Sequence, residues 1–232
     1  MRGIDISNHK YSEGLRDLSG VMKSADFCIC KATGGASFVD LSCDYYIQQL
    51  IKLGKPWGFY HFANDNYEGY SAEREADFFI ENCRNYFGKG IPILDWETAT
   101  VSASWVNRFV RRVHDKTGVW CWIYSWPRYF NDGGIETNCG RWIAYYPNAA
   151  RPGLDYKLPN APETEGTVCA WQYASDGRVE GFNGNLDINV FFGDAEAWRK
   201  YALGDNKDTG PVDNPNIEVL ENERYTVTIT KK

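Results

Sequence analysis

The sequence predicts an α/β protein built as a distorted eight-stranded barrel, and two patterns predict it. Through the first half, short apolar runs alternate with segments whose apolar residues recur every three or four positions, as parallel strands joined by crossover helices require. After residue 124 the strand-like runs continue, but the Pro-, Gly- and Asn-rich segments between them lack the length or period of full helices. Five strand–helix units followed by three bare strands make eight, which suits a closed barrel better than an open sheet. A chain of 232 residues is long enough to bury one such core.

Taken in order, strands are expected over residues 3–6, 27–31, 57–62, 91–95 and 119–124, then 141–146, 167–173 and 186–192. Helices are expected over 12–22, 43–53, 71–86 and 102–117, with a closing helix over 194–203. In the third of these, Ala72, Ala76, Phe79, Ile80 and Cys83 form one apolar face, and Ser71 followed by Glu73 and Glu75 is a helix start. From Gly204 the chain turns to Gly, Asp, Asn and Pro, a linker too polar to build a core. Residues 225–230 then alternate like a strand too short to fold alone. The expected division is a barrel over 1–203 and a linker with a short tail over 204–232.

Composition narrows the function. The net charge is −6 and Arg111-Arg112 is an isolated basic pair, so nucleic acid is not the expected partner. Aromatic content is 16 %, with 9 Trp and 15 Tyr, which suits either a Trp-rich core or a groove that stacks sugar rings. The 7 Cys are odd in number and lack CxxC spacing, so neither a disulfide framework nor a zinc site is expected. Most lie in apolar runs and read as small hydrophobes of a protein made in a reducing cytoplasm. The chain opens straight into a strand and has no 18-residue apolar span. No membrane partner is expected, and action outside the cell would need a separate route of release.

The run Ile91-Pro92-Ile93-Leu94-Asp95-Trp96-Glu97 is an apolar strand ending in two carboxylates one residue apart. Side chains alternate along a strand, so Asp95 and Glu97 share a face, about 6.5–7 Å apart along the backbone. In a partly desolvated site such acids repel, and one keeps its proton near neutral pH while the other stays ionised. Glycoside hydrolysis uses that pair: an acid for the leaving oxygen and a carboxylate for developing positive charge. The same pattern also occurs in metal sites and where two solvated acids end a strand.

Barrels of parallel strands carry their site residues at the strands' C-terminal ends. Those ends hold Asp5, Lys31, Thr33, His61, Asp95, Glu97 and Tyr124, and later Trp142, Tyr145, Trp171, Gln172, Tyr173, Asp187 and Asn189. Four acids, several aromatics and an amide on one rim describe a carbohydrate cleft better than a metal centre. Zinc would need more His or Cys near that rim than the three His of the chain provide, and no cofactor is expected. His61 has a hydrogen-bonded structural role as its alternative, and the aromatics could equally fill the upper layer of the barrel.

Eight short motifs in order resemble one family. They are Gly3-Ile4-Asp5-Ile6-Ser7, Lys31-Ala32-Thr33, Gly58-Phe59-Tyr60-His61-Phe62 and Leu94-Asp95-Trp96-Glu97, then Ile123-Tyr124-Ser125, Trp142-Ile143-Ala144-Tyr145, Trp171-Gln172-Tyr173 and Asp187-Ile188-Asn189-Val190-Phe191. Over residues 1–203 the chain resembles glycoside hydrolase family 25, the Chalaropsis-type lysozymes of bacteria, fungi and phage endolysins. The resemblance implies a TIM-like (β/α)5(β)3 barrel, in agreement with the five-plus-three pattern. One departure is visible: the family's second-strand motif usually reads Lys-Ala-Thr-Glu-Gly, and here Gly34 stands in place of the acid.

The resemblance also implies hydrolysis of the β-1,4 bond from N-acetylmuramic acid to N-acetylglucosamine in peptidoglycan. Glu97 would be the general acid and Asp95 an ionised carboxylate that orients the 2-acetamido group or stabilises an oxocarbenium-like centre. Asp5 and Asp187 would complete an acidic floor. Tyr60, His61, Tyr124, Tyr145 and Gln172 would contact substrate, with Trp171 stacking on a sugar ring. A catalytically silent glycan-binding module on the same barrel is the competing reading, and it has no need of both acids on one face. The tail over 205–232 is expected to dock on a second copy, giving a homo-oligomer, or to begin a wall-binding module.

Overall fold

The computed structural model describes residues 1–64, 68–131, 133–147 and 149–205. Its strands are β1 (Arg2–Ile6), β2 (Phe27–Gly34), β3 (Phe38–Val39), β4 (Trp57–Phe62), β5 (Ile91–Asp95), β6 (Trp122–Ser125), β7 (Arg141–Ala144), β8 (Val168–Gly177) and β9 (Leu186–Phe191). They hydrogen-bond in the order β1-β9-β8-β7-β6-β5-β4-β2-β3, and a β1–β2 pairing closes the ring. Eight strands thus form the barrel, and β3 is a two-residue flap folded back on the end of β2. Neighbours from β1 through β2 and β4 to β8 pair in parallel, while β9 runs antiparallel to both β8 and β1. A short antiparallel return from β8 to β9 needs no crossover helix, which is why that segment lacks helical period.

The helices are α1 (Asn8–Ser12), α2 (Ser42–Lys52), α3 (Ala72–Cys83), α4 (Ala103–Thr117), α5 (Pro127–Asn131) and α6 (Ala195–Leu203). The two that pack behind the site have the expected physical causes. The Ser71 side chain caps α3 by accepting from the Arg74 N–H, and Ser102 caps α4 by accepting from the Trp105 N–H. Trp105, Val106, Phe109, Val110 and Val113 form the buried stripe of α4, which stops at Gly118 in the left-handed region (φ 72°).

The helix expected over 12–22 is not formed. Instead α1 occupies Asn8–Ser12 and a single 3-10 turn Val21–Lys23. Gly14 at φ 100° breaks the path, and Asp17 accepts from the Ser19 N–H to make a local turn. Leu15, Leu18, Val21 and Met22 are buried as a packed loop, and their spacing mimicked a helix. Of the linker and tail expected over 204–232, residues 206–232 lie outside the described residues.

Alternation along the strands sorts two cores. Facing inward are Phe27, Ile29, Ile91, Ile93, Trp122 and Phe191, and the lower opening is plugged by α6, whose Trp198 ring lies 4.6 Å from that of Phe27. Facing outward are Cys28, Cys30, Phe59 and Ile123, which pack under the helices. All seven thiols are buried and unpaired, as small apolar side chains are. The inward positions one layer above the apolar plug are where the polar residues gather.

Candidate active site

Nine residues line a cleft of about 190 Å³ in the upper mouth of the barrel. Four are carboxylates: Asp5 at the end of β1, Asp95 at the end of β5, Glu97 two residues on, and Asp187 in β9. Tyr60, Tyr124, Trp142, Tyr146 and Gln172 complete it. Strand parity explains the set, because each of Asp5, Tyr60, Asp95, Tyr124 and Gln172 has the inward phase of its strand.

Glu97 lies beyond β5 but keeps that phase. Trp96 is buried on the outer side, where its indole donates to the Val101 carbonyl (2.8 Å), and Ser125 donates to the Trp96 carbonyl. Thr98 is buried too, donating to the Ala63 carbonyl (3.0 Å). Pinned on both sides, the backbone presents Glu97 at the mouth, exposed to solvent, above the buried Asp95.

One hydrogen-bond network holds the floor. Asp5 Oδ2 accepts from Gln172 Nε2 (2.9 Å) and from Asn189 Nδ2 (2.7 Å). Gln172 Oε1 accepts from the hydroxyls of Tyr124 (2.8 Å) and Tyr146 (2.6 Å). Asn189 Oδ1 accepts from the Trp142 indole (2.9 Å). Each amide uses its oxygen toward the ring donors and its nitrogen toward Asp5, so the carboxylate is fixed in place.

Three expected contact residues are elsewhere. His61 is adjacent to Tyr60 and so points outward, wholly buried, stacked 4.9 Å from the Phe109 ring. Its Nδ1 meets Thr33 Oγ1 (2.9 Å) and its Nε2 meets Glu75 Oε2 (3.0 Å). Trp171 is outward for the same reason, and its indole donates to the Tyr145 carbonyl (2.6 Å). Tyr145 leaves the barrel as β7 ends at Ala144, and its ring is half exposed outside the cleft. Tyr146, absent from the sequence-based set, takes the inward place. The signal was available, since 142, 144 and 146 share one phase.

The profile of Glycosyl hydrolases family 25 matches residues 4–182. The chain belongs to this family. Lysozyme M1 of Streptomyces globisporus is 27 % identical over 225 residues, covering 89 % of this chain and 72 % of its own. The N,O-diacetylmuramidase of Chalaropsis sp. is 26 % identical over 215 residues, covering 81 % and 96 %. Among solved structures, the bacterial lysozyme from Streptomyces coelicolor superposes with a TM-score of 0.72 at 26 % identity, covering 88 % of this chain and 97 % of its own. The barrel is that of family 25 lysozymes, and the chain is a glycoside hydrolase.

In this family 25 cleft four acids compete for protons. Burial is the largest cause throughout, because it penalises the charged form. Asp5 is pushed up to about 6, restrained by the amide hydrogen bonds of Asn189 and Gln172. Asp187 goes further, to about 8, through burial and the charge of Asp5. Asp95 and Glu97 are both raised by burial. Facing Glu97 raises Asp95 further, while the Asp95 side chain and Lys31 lower Glu97. The two carboxyls are coupled and titrate as a unit, so protonation of one depends on the charge of the other.

Two cations border the cleft. Lys31 lowers both Asp95 and Glu97, and Lys10 of α1 lowers Asp5 and Asp187. Gly34, where the family motif usually has an acid, pairs with Phe38 and Phe62. The adjoining turn closes without that acid, through the Gly35 N–H on the Phe62 carbonyl (3.1 Å). Among the described residues no group of three or more His, Cys, Asp or Glu could hold a metal ion. Among them too, no helix is long and apolar enough to cross a membrane.

Proposed function

We propose that this family 25 enzyme is a muramidase that cleaves the β-1,4 bond from N-acetylmuramic acid to N-acetylglucosamine in peptidoglycan. The observation that carries this is the Asp95–Glu97 pair, two carboxyls at different depths of one cleft, both raised by burial. The names of the relatives, lysozyme and muramidase, support the substrate.

Glu97, at the solvent-facing mouth, protonates the leaving oxygen. Burial keeps that proton on Glu97 before cleavage, and Asp95, as a carboxylate deeper in the cleft, supports positive charge as it develops on the sugar ring or on its 2-acetamido group. Asp5, ionised above about pH 6, adds negative potential to the cleft, Asp187 is a neutral acid there below about pH 8, and the hydroxyls of Tyr60, Tyr124 and Tyr146 face the same space. The Asp5–Gln172 network takes the hydroxyl protons of Tyr124 and Tyr146 and so fixes their oxygens as acceptors before substrate arrives, which lowers the cost of ordering them during the reaction. The enzyme would act at the cell wall.

The test is the identity of the new reducing end. Digested wall should carry N-acetylmuramic acid at each new reducing end, read by borohydride reduction and mass spectrometry. New N-acetylglucosamine ends would assign the other glycosidic bond and overturn this reading.

A further inference from the structure

Beside the catalytic cleft lies a second groove of about 420 Å³, formed by α1, β3 and the start of α2. Small-ligand sites span roughly 300–1,000 Å³, so this groove is large enough to hold a substituent. Asn8, Tyr11, Phe38, Val39, Leu41 and Tyr45 line it. Leu41 is 89 % exposed, and Val39 and Tyr45 are also exposed, an apolar surface of the kind that marks a contact. The walls are fixed. Buried Asp40 accepts from the backbone N–H groups of Asn8 (2.8 Å) and Ser42 (2.9 Å), tying α1 to α2, and the Tyr11 and Tyr45 rings meet edge-on at 5.6 Å.

Continuity with the cleft and local charge say what the groove holds. The Lys31 ammonium lies 5.0 Å from the Phe38 ring on the groove side, and its charge reaches Asp95 and Glu97 on the other. Lys10, between groove residues Asn8 and Tyr11, likewise reaches Asp5 and Asp187. Lys31, at the Phe38 ring on the groove, is thus the side chain that links the groove to the catalytic carboxylates. The chain carries a net charge of −6, yet this edge carries Lys31 and Arg16, whose guanidinium sits 5.0 Å over the Tyr11 ring, while Lys10 is paired with Glu13 (3.0 Å). Of the other nearby acids, Asp40 is buried and hydrogen-bonded, Asp44 accepts from the Tyr86 hydroxyl (2.7 Å) and Glu68 from the Ser37 hydroxyl (3.2 Å). An apolar floor with a basic edge suits a short chain that carries methyl groups and carboxylates, and it suits a neutral sugar poorly.

We propose that this groove binds the peptide stem carried by the lactyl group of the muramoyl residue, so that peptide-bearing glycan is the preferred substrate. This rests on the muramidase reading. Peptidoglycan stems are rich in alanine and carry free carboxylates, matching the Leu41–Tyr45 floor and the Arg16 edge respectively.

The experiment compares kcat/KM on two soluble glycans from one wall, uncross-linked strands with their stems and the same strands stripped by an amidase. Leu41→Asp and Arg16→Glu change exposed side chains, so both variants should fold, which circular dichroism checks. The ratio of kcat/KM, peptide-bearing over stripped, should exceed one for the natural sequence and fall about tenfold in Leu41→Asp. In Arg16→Glu it should fall in a salt-dependent way. An unchanged ratio in an active enzyme overturns the inference alone. So does a change in light-scattering mass with an unchanged ratio, which would assign the groove to a second copy of the chain. Failure of the natural sequence to cut either glycan overturns the muramidase reading and this inference with it.

Discussion

Asp5 and Asp187 stand directly opposite each other across the antiparallel β1–β9 pair, with their Cα positions in register. Like charges at directly opposed positions repel, and here both are desolvated. The conflict is resolved unequally. Asp5 takes two amide hydrogen bonds and titrates near 6, while Asp187 keeps its proton to about 8. Function is thus built on an arrangement that costs stability.

That cost has a definite pH window. Asp187 ionises near 3.8 in the unfolded chain and near 8 in the barrel, so between those values the folded state binds more protons. Its contribution to stability is complete below about pH 4, declines as pH rises through 8, and is lost above. Asp187→Asn should therefore raise stability at pH 9 by at least about 2 kcal/mol, equivalent to at least roughly 4–8 °C in melting temperature, and by much less at pH 4. Thermal denaturation at the two pH values checks this, and equal gains at both would show that Asp187 carries no buried charge.

Gln172 joins both halves of the floor, so its loss should be felt twice. Gln172→Leu leaves Asp5 with one amide donor and strands the hydroxyls of Tyr124 and Tyr146 without their acceptor. A loss of about 1–3 kcal/mol in urea denaturation is expected. The Asp5 carboxyl should also titrate above its present value of about 6, read by NMR of the labelled side chain.

His61 is predicted to separate stability from chemistry. Its ring bridges Thr33 and Glu75 behind the barrel wall, and Glu75 Oε2 also accepts the Asn64 N–H (2.9 Å). Removing it in His61→Leu leaves a wholly buried carboxylate short of a partner, at a cost of about 3 kcal/mol. At a temperature where the variant stays folded, KM should remain within about twofold of the natural value, since truncating uniform binding contacts is what raises KM. A KM rise of an order of magnitude would return His61 to the substrate contacts.

How far the sequence reached follows from which interactions are local. The apolar runs and helix caps are local, and the strands and the helices around Ala72–Cys83 and Ala103–Thr117 came out close to their observed bounds. Asp95 and Glu97 were legible together because a two-residue spacing in a strand carries its own geometry. His61 and Trp171 were misplaced because residues were gathered by strand end without following parity against Tyr60 and Gln172. A bulge between Lys31 and Thr33 further shifts the phase of β2, which no residue type announces. The Asp5–Asp187 opposition and the network through Asn189 join chain segments more than 180 residues apart. They depend on the direction of β9, which a bare strand pattern does not encode.

The proton donated by Glu97 is the centre of the proposed mechanism, and Glu97→Gln tests it most directly. The amide keeps the size and the exposed position of Glu97 but cannot donate an acidic proton. Clearing of a cell-wall suspension by the full chain, compared with this variant at matched fold by circular dichroism, is the measurement. Loss of acid catalysis should slow clearing by roughly 10²–10⁴-fold. Clearing within a few-fold of the natural rate would contradict the assignment of Glu97 as the general acid.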